Sequence, residues 1–322
     1  MCVGNVTLLR LVSATQPRSM VRVGNFLSCI AASNHSDDVP ATLNSDEVLR
    51  AVRAALAEDV GSGDVTTLAT VPEDSRCRAM MRAREPLVVA GISFAESAFG
   101  ELSDKLQIQV STKDGSKAAA GDVILVVEGP TRAILTAERV ALNFVQRLSG
   151  VATAAAQYVE AIRGTKAQIL DTRKTTPGWR AFEKYAVTCG GARNHRIGLW
   201  DMVLIKDNHL AALREATPNA IAAAVQRARE KYPALKVEVE ADTLSQVAQA
   251  ADAGADIILL DNMTLDELRE SVRLVGGRAK TEASGGVNLQ TVRGIAETGV
   301  DFISVGAMTH SARAVDIGLD FF

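Results

Sequence analysis

Apolar positions between Leu43 and about Asp59 fall on one face of a helix, with Asn44 or Ser45 as its N-cap. A polar glycine loop follows, Gly61-Ser62-Gly63-Asp64-Val65-Thr66-Thr67. Residues 76–90 read as strands, 92–102 as a short helix, and 105–129 as two strands around an Asp114-Gly115 turn. A long helix is predicted from Thr131 to Leu148, stopped by Gly150.

From about residue 151 the rhythm changes. Helical stretches alternate with short apolar runs: Gln168-Ile169-Leu170, Met202 to Ile205, Val237 to Val239, Ile257 to Leu260 and Phe302 to Val305. Such alternation predicts parallel βα units. An internal repeat supports this. Ala251 to Asp261 aligns with Ala296 to Gly306, each a helix end, a glycine stop, an acidic residue and a buried strand. One further strand lies between them near Thr281. Glu240, Asp261, Ser284 and Gly306 therefore fall at successive strand ends, 21, 23 and 22 residues apart. That spacing is one βα unit per step and predicts an α/β barrel, with an open doubly wound sheet as the alternative on pattern alone. Right-handed crossovers bring the strand ends to one face, where barrel active sites lie.

Composition removes other classes. Aromatics are 4 %, too few for base-stacking platforms, and the net charge is −3, so no nucleic-acid partner is expected. No run of about 18 apolar residues exists, so no membrane partner or span is expected either. Cys2, Cys29, Cys77 and Cys189 have no metal-knuckle or redox-pair spacing and read as reduced thiols. The chain is accordingly expected to be soluble and intracellular, cytoplasmic by default. Residues 1–36 hold Arg10, Arg18 and Arg22 but no acidic residue, leaving the remainder at net −6. An Arg-containing, Ser-rich start fits a transit peptide for mitochondrion or plastid, an unstructured extension or a misplaced start codon.

The strand ends of the second half carry Asp171-Thr172-Arg173-Lys174-Thr175, Lys206-Asp207-Asn208-His209, Glu240, Asp261, Ser284-Gly285-Gly286 and Val305-Gly306-Ala307. A loop with Arg193-Asn194-His195-Arg196 lies between the first two. One charged strand end is usually just solvated; polar residues at six ends of one face point to a ligand. The glycines after the last two strands suit a phosphate, because backbone N–H groups can approach an anion closely. Arg173, Lys174, His195, Arg196 and Lys206 would repel one another without a polyanionic partner. Glu240 and Asp261 suit ribose hydroxyls, a magnesium ion or a cationic transition state.

These strings, in this order, resemble the quinolinate phosphoribosyltransferase family over about residues 43–321. The matches are Glu58-Asp59 with Gly63 to Thr67; Glu138 to Asn143; Thr172 to Thr175; Gly190-Gly191 with Asn194 to Leu199; Ile205 to His209; Val237 to Glu240; Leu260 to Asn262; Glu282 to Gly286; and Gly306 to Ser311. The resemblance implies an α/β sandwich domain over 41–142, completed by 309–322, and an open α/β barrel over 143–308, after an extension of 1–40. It implies transfer of the phosphoribosyl group of phosphoribosyl pyrophosphate to quinolinate. Decarboxylation then gives nicotinate mononucleotide, pyrophosphate and CO2, a step of NAD synthesis.

The same resemblance implies the residue roles. Arg173, His195 and Arg196, with Arg139, would hold the quinolinate carboxylates. Lys174 and Lys206 would neutralise pyrophosphate. Glu240 and Asp261 would hold Mg2+ and the ribose hydroxyls, and Lys174, Lys206, Glu240 and Asp261 form the catalytic set. Thr172 joins the substrate-binding residues, and Ser284, Gly285, Gly286, Val305, Gly306 and Ala307 would cradle the 5-phosphate. A homodimer or higher homo-oligomer is implied, with Arg139 supplied across the interface. Three rivals remain: a Schiff-base lyase using Lys206, a non-catalytic nucleotide-binding relative, and a phosphoribosyltransferase for another heteroaromatic acid.

Overall fold

The computed structural model describes residues 42–322. The expectations for residues 1–40, a transit peptide among them, lie outside the described residues. Helix α1 (Ser45–Val60) starts where Asn44 caps it, its side-chain oxygen accepting the N–H of Asp46 at 2.9 Å. Val48, Val52 and Leu56 are its buried stripe. Helix α2 (Val65–Thr70) is capped by Asp64, which accepts the N–H of Thr67.

Next come β1 (Arg76–Ala83), β2 (Leu87–Val88), α3 (Ile92–Leu102), β3 (Gln107–Val110), β4 (Lys117–Ala118) and β5 (Val123–Pro130). The first sheet is antiparallel and has the order β12-β1-β5-β3, where β12 (Ile317–Phe321) is the last strand of the chain. The two strands predicted on either side of the Asp114-Gly115 turn are β3 and β5, and the short β4 between them was not predicted. β3 pairs with β5, and β4 pairs with β2 in a separate ribbon. Asp114 has other work: its carboxylate accepts the N–H groups of Gly91 and Ile92, at the start of α3, and the hydroxyl of Tyr185.

Helix α4 (Thr131–Ala161) corrects an expectation, because it runs straight through Gly150. This glycine is not a stop but a point of close approach. A Cβ there would collide with the carbonyl of Arg313, on the segment leading back into the first sheet. The helix is buried on most sides, at Val140, Ala141, Leu142, Phe144, Val145 and Leu148. It serves both sheets, so no linker separates the two halves.

The second half alternates as the pattern predicts: β6 (Gln168–Leu170), α5 (Arg180–Cys189), β7 (Val203–Ile205), α6 (Asp207–Ala211), α7 (Ala220–Lys231), β8 (Val237–Ala241), α8 (Leu244–Asp252), β9 (Ile257–Asp261), α9 (Leu265–Val275), β10 (Lys280–Ser284), α10 (Val292–Ala296), β11 (Phe302–Ser304) and α11 (Ala307–His310). All pairings are parallel, in the order β6-β11-β10-β9-β8-β7. Neighbours are consecutive, and the first strand of the set lies beside the last. That is the connectivity of a barrel with one seam, between β6 and β7, and it excludes the doubly wound order. At the seam Arg193 makes a single parallel bridge to Leu170. No described helix is long and apolar enough to cross a membrane.

Candidate active site

Register decides which strand residues face each other. Glu238 lies opposite Ile257, Glu240 opposite Leu259, Glu282 opposite Leu259, and Ser284 opposite Asp261. Side chains alternate along a strand, so Glu238, Glu240, Asp261, Glu282 and Ser284 share one face. Val237, Val239, Ile258, Leu260 and Ala283 share the other and are buried in the hydrophobic core. The acidic face is thus the barrel interior, and its outermost layer comprises Glu240, Asp261 and Ser284. Lys206 follows β7, Thr172 to Lys174 follow β6, and Val305 to Ala307 follow β11.

Several of these residues touch. Lys206 forms an ion pair with Glu240. Asp261 Oδ2 accepts the side-chain amide of Asn262 at 2.6 Å. Asn262 adopts a left-handed φ of 54°, and a Cβ on Gly285 would collide with its side-chain oxygen. With φ at +92°, Gly285 is required twice over; Gly286 also has positive φ and is exposed. A Cβ at Gly306 would lie 3.1 Å from Lys174 Cδ, so the lysine stem crosses that glycine. Thr172 Oγ1 accepts the N–H of Lys174 at 3.0 Å. Val305 donates to Leu170 and is buried, and Ala307 opens α11. The glycine cradle, both lysines and both outer carboxylates therefore share one end of the barrel.

The segment with His195 and Arg196 is set from beneath by a buried ion pair. Lys184 Nζ lies 2.5 Å from Asp171 Oδ1, both side chains almost fully buried. The same Asp171 oxygen accepts the N–H of His195 at 2.7 Å, and Lys184 donates to the His195 carbonyl at 3.2 Å. Asn194, with its amide oriented by these partners, donates to Asp171 Oδ2 and to the Lys184 carbonyl. Burial pushes the Asp171 carboxyl up to about 6 against the pull of Lys184 and His195, and burial lowers the Lys184 ammonium. A pair this costly to bury depends on its geometry; losing one partner typically costs about 3–5 kcal/mol. A second network fixes the loop after β6. Arg147 donates to Glu183 and to the Thr309 carbonyl, and Glu183 accepts from the N–H and hydroxyl of Thr176.

Inside the barrel, His195 Nε2 lies 3.0 Å from Glu238 Oε2 and 3.5 Å from Glu282 Oε2. Burial alone would lower the His195 pKa, but the close approach of both glutamate carboxylates outweighs it and raises it to about 10. Burial, then the charge of Glu282, pushes Glu238 up to about 7 despite His195 and Arg196. Burial and the neighbouring Arg173 charge lower the pKa of Arg196. The Arg173 Nε is buried without a hydrogen-bond partner among the described residues. Two crowded guanidinium groups, one with an orphaned donor, suit a carboxylate ligand.

Arg139 stands apart from this group. It is exposed on α4, one residue from Glu138, whose pKa it lowers against a larger effect of burial. Asn143, one turn on, is exposed on the same side, whereas Val140 is buried. The sequence reading reached the strand ends but missed the layer beneath. Glu238 and Glu282 each sit two residues before a named strand-end residue, Glu240 and Ser284, and period-two counting could have found them.

The model of the family described as "Quinolinate phosphoribosyl transferase, C-terminal domain" matches residues 151–320, and that of its N-terminal domain matches residues 64–149. The chain belongs to the quinolinate phosphoribosyl transferase family. The two matches meet inside α4, the helix both sheets share. The nicotinate-nucleotide pyrophosphorylase [carboxylating] of Mycobacterium leprae is 43% identical over 275 residues, 84% of this chain and 95% of that protein. The chloroplastic enzyme of that name from Arabidopsis thaliana is 39% identical over 319 residues, 94% of this chain and 91% of that protein. Among solved structures, the nicotinate-nucleotide pyrophosphorylase of Francisella tularensis superposes with TM-score 0.83 at 41% identity, covering 88% of this chain and 99% of that one. The quinolinate phosphoribosyl transferase fold, an antiparallel sheet domain beside a six-stranded parallel α/β domain, is therefore this chain's fold.

Proposed function

We propose that the chain transfers the phosphoribosyl group of phosphoribosyl pyrophosphate to quinolinate and decarboxylates the product to nicotinate mononucleotide. The observation that carries this is the grouping at one end of the barrel. A glycine cradle crossed by Lys174 and an anion-binding cluster of Arg173, His195 and Arg196 accompany Lys206, Glu240 and Asp261 there. The names of the relatives agree with it.

In this reading Ser284, Gly285, Gly286, Val305, Gly306 and Ala307 receive the 5-phosphate. Thr172 orders the backbone of Lys174, and Lys174 and Lys206 receive the pyrophosphate. Arg173, His195 and Arg196 orient the two quinolinate carboxylates so that the ring nitrogen faces the anomeric carbon. The nitrogen lone pair forms the new N–C bond as the C–O bond to pyrophosphate breaks, its electrons leaving with pyrophosphate. Glu240 and Asp261 face the positive charge that develops on the ribose. The 2-carboxylate then departs as CO2, the electron pair it leaves is stabilised by the ring cation, and a proton replaces it. No covalent bond to Lys206 is needed, and its side chain is paired with Glu240.

Magnesium fits the donor set. Glu240 and Asp261 offer hard carboxylate oxygens on adjacent strands, and Mg2+ commonly takes one or two such groups with substrate phosphates. When bound with phosphoribosyl pyrophosphate it would supply charge neutralisation for the leaving group.

A homodimer with Arg139 acting in the partner's site has support from two apolar surfaces. Val65 and Leu68 on α2 are 74 % and 56 % exposed. Asp64, just before them, accepts from Thr136 on α4, one turn before Arg139. Leu199 and Trp200, just past Arg196, are 73 % and 60 % exposed. A two-fold contact burying one surface against the other would bring Arg139 to the partner's anion-binding cluster. For residues 1–36 an organelle address is the favoured reading, in keeping with relatives named chloroplastic and mitochondrial.

Calorimetry tests the division of the site. Arg173→Ala and Arg196→Ala should each weaken quinolinate binding at least tenfold, since losing one partner of a buried charged pair costs about 2–5 kcal/mol. Phosphoribosyl pyrophosphate should bind almost as before. Unchanged quinolinate affinity in both variants would assign the arginines elsewhere.

A further inference from the structure

Glu238 and Glu282 have no part in the chemistry above, yet both are fully buried on the barrel interior, on β8 and β10. All four carboxylate oxygens, and the facing His195 Nε2, lack an aligned hydrogen-bond partner among the described residues, so what joins them is proximity and charge. Burying two carboxylates side by side is expensive unless a cation answers them. The side chain they face is His195, whose Nε2 lies within 3.5 Å of an oxygen from each. The backbone of His195 is held separately by Asp171 and Lys184. Nε2 is therefore committed to the interior, and Nδ1 is the nitrogen left for a ligand.

We propose that Glu238 and Glu282 are positioning residues that clamp His195 through Nε2, keep its ring an imidazolium, and turn Nδ1–H toward a quinolinate carboxylate. This rests on the reading that His195 meets quinolinate. The tautomer explains why two acids are needed. With Nε2–H given to the glutamates, a neutral ring would present the Nδ1 lone pair to the substrate carboxylate and repel it. With Nε2–H facing the carboxylates, only the doubly protonated ring offers a second donor at Nδ1. The groups facing His195 are Glu238, Glu282 and Asp171, with Lys184 on its carbonyl and Arg196 next in the chain. The acids outweigh burial, in line with the raised His195 pKa. They also balance positive charge where Arg173 and Arg196 already crowd each other.

The test is histidine-selective 15N NMR of the full chain, which has four histidines. His195→Asn identifies the His195 signal. In the unaltered protein that ring should remain an imidazolium from pH 6 through 8. In Glu238→Gln/Glu282→Gln, whose amides preserve shape and can still accept from Nε2, the ring should be neutral by pH 8. The KM for quinolinate should rise about tenfold or more in this variant, with the KM for phosphoribosyl pyrophosphate within twofold. Lowering the pH to 6 should restore much of the quinolinate affinity, a rescue that lost packing alone would not give. A neutral His195 at pH 7 in the unaltered chain overturns the clamp, whatever the double glutamate variant does. Stoichiometric metal in the purified protein, lost in Glu282→Gln, would also overturn it and make the cluster a metal centre. If His195→Asn leaves the KM for quinolinate unchanged, the substrate assignment fails, and with it the role of Nδ1; the NMR result still decides the clamp.

Discussion

Two inactive variants, Arg139→Ala and Lys206→Ala, should regain activity when their subunits are mixed and allowed to exchange. If Arg139 acts in the partner's site, each heterodimer contains one site with both defects and one with neither. Activity should return to about half per heterodimer, or about a quarter of the full value in a randomly exchanged pool. The structure gives the reason for expecting this. Arg139 is exposed on α4 together with Asn143, and the apolar residues of α2 lie beside its turn. If Arg139 serves its own chain, every site carries a defect and no mixing ratio restores turnover.

Asp261→Asn should lower turnover by about a hundredfold or more, the usual effect of removing one preorganised charge. Quinolinate affinity should stay within a fewfold of normal. Shape is preserved in this variant, because Asp261 uses an oxygen to accept from Asn262, and an amide oxygen can do the same. Only the negative charge, which the proposed reading directs toward the ribose and metal, is lost. Steady-state kinetics with each substrate varied in turn reads the split. Full activity with weakened quinolinate binding would place Asp261 in the other half of the site.

How far the sequence carried this site follows from the range of each signal. Strand ends are local: an apolar run, then a polar residue, then a helix. Lys206, Glu240, Asp261 and Ser284 were legible on that basis, as was the barrel through the spacing between them. Gly150 misled because its reason is not local. It lets α4 pass the Arg313 carbonyl, and no pattern within the helix reveals a neighbour so far along the chain. The short β4 after the Asp114-Gly115 turn was not legible for a similar reason, since its partner β2 lies in a separate ribbon, and the turn's carboxylate answers the distant Tyr185. The buried pair of Asp171 and Lys184 could not be matched from sequence, because only the fold brings α5 beneath the loop after β6. Arg139 reads as an ordinary helical surface residue by period alone, and the family resemblance was needed to set it apart.

The central claim is that one face of this barrel joins quinolinate to a phosphoribosyl group and removes a carboxylate. Product stoichiometry tests it most directly. Purified full-length chain, supplied with quinolinate, phosphoribosyl pyrophosphate and Mg2+, should release nicotinate mononucleotide, pyrophosphate and CO2 in equal amounts, and nicotinate should be a poor replacement for quinolinate. A nucleotide that retained both carboxylates, or equally fast turnover of nicotinate, would contradict the account.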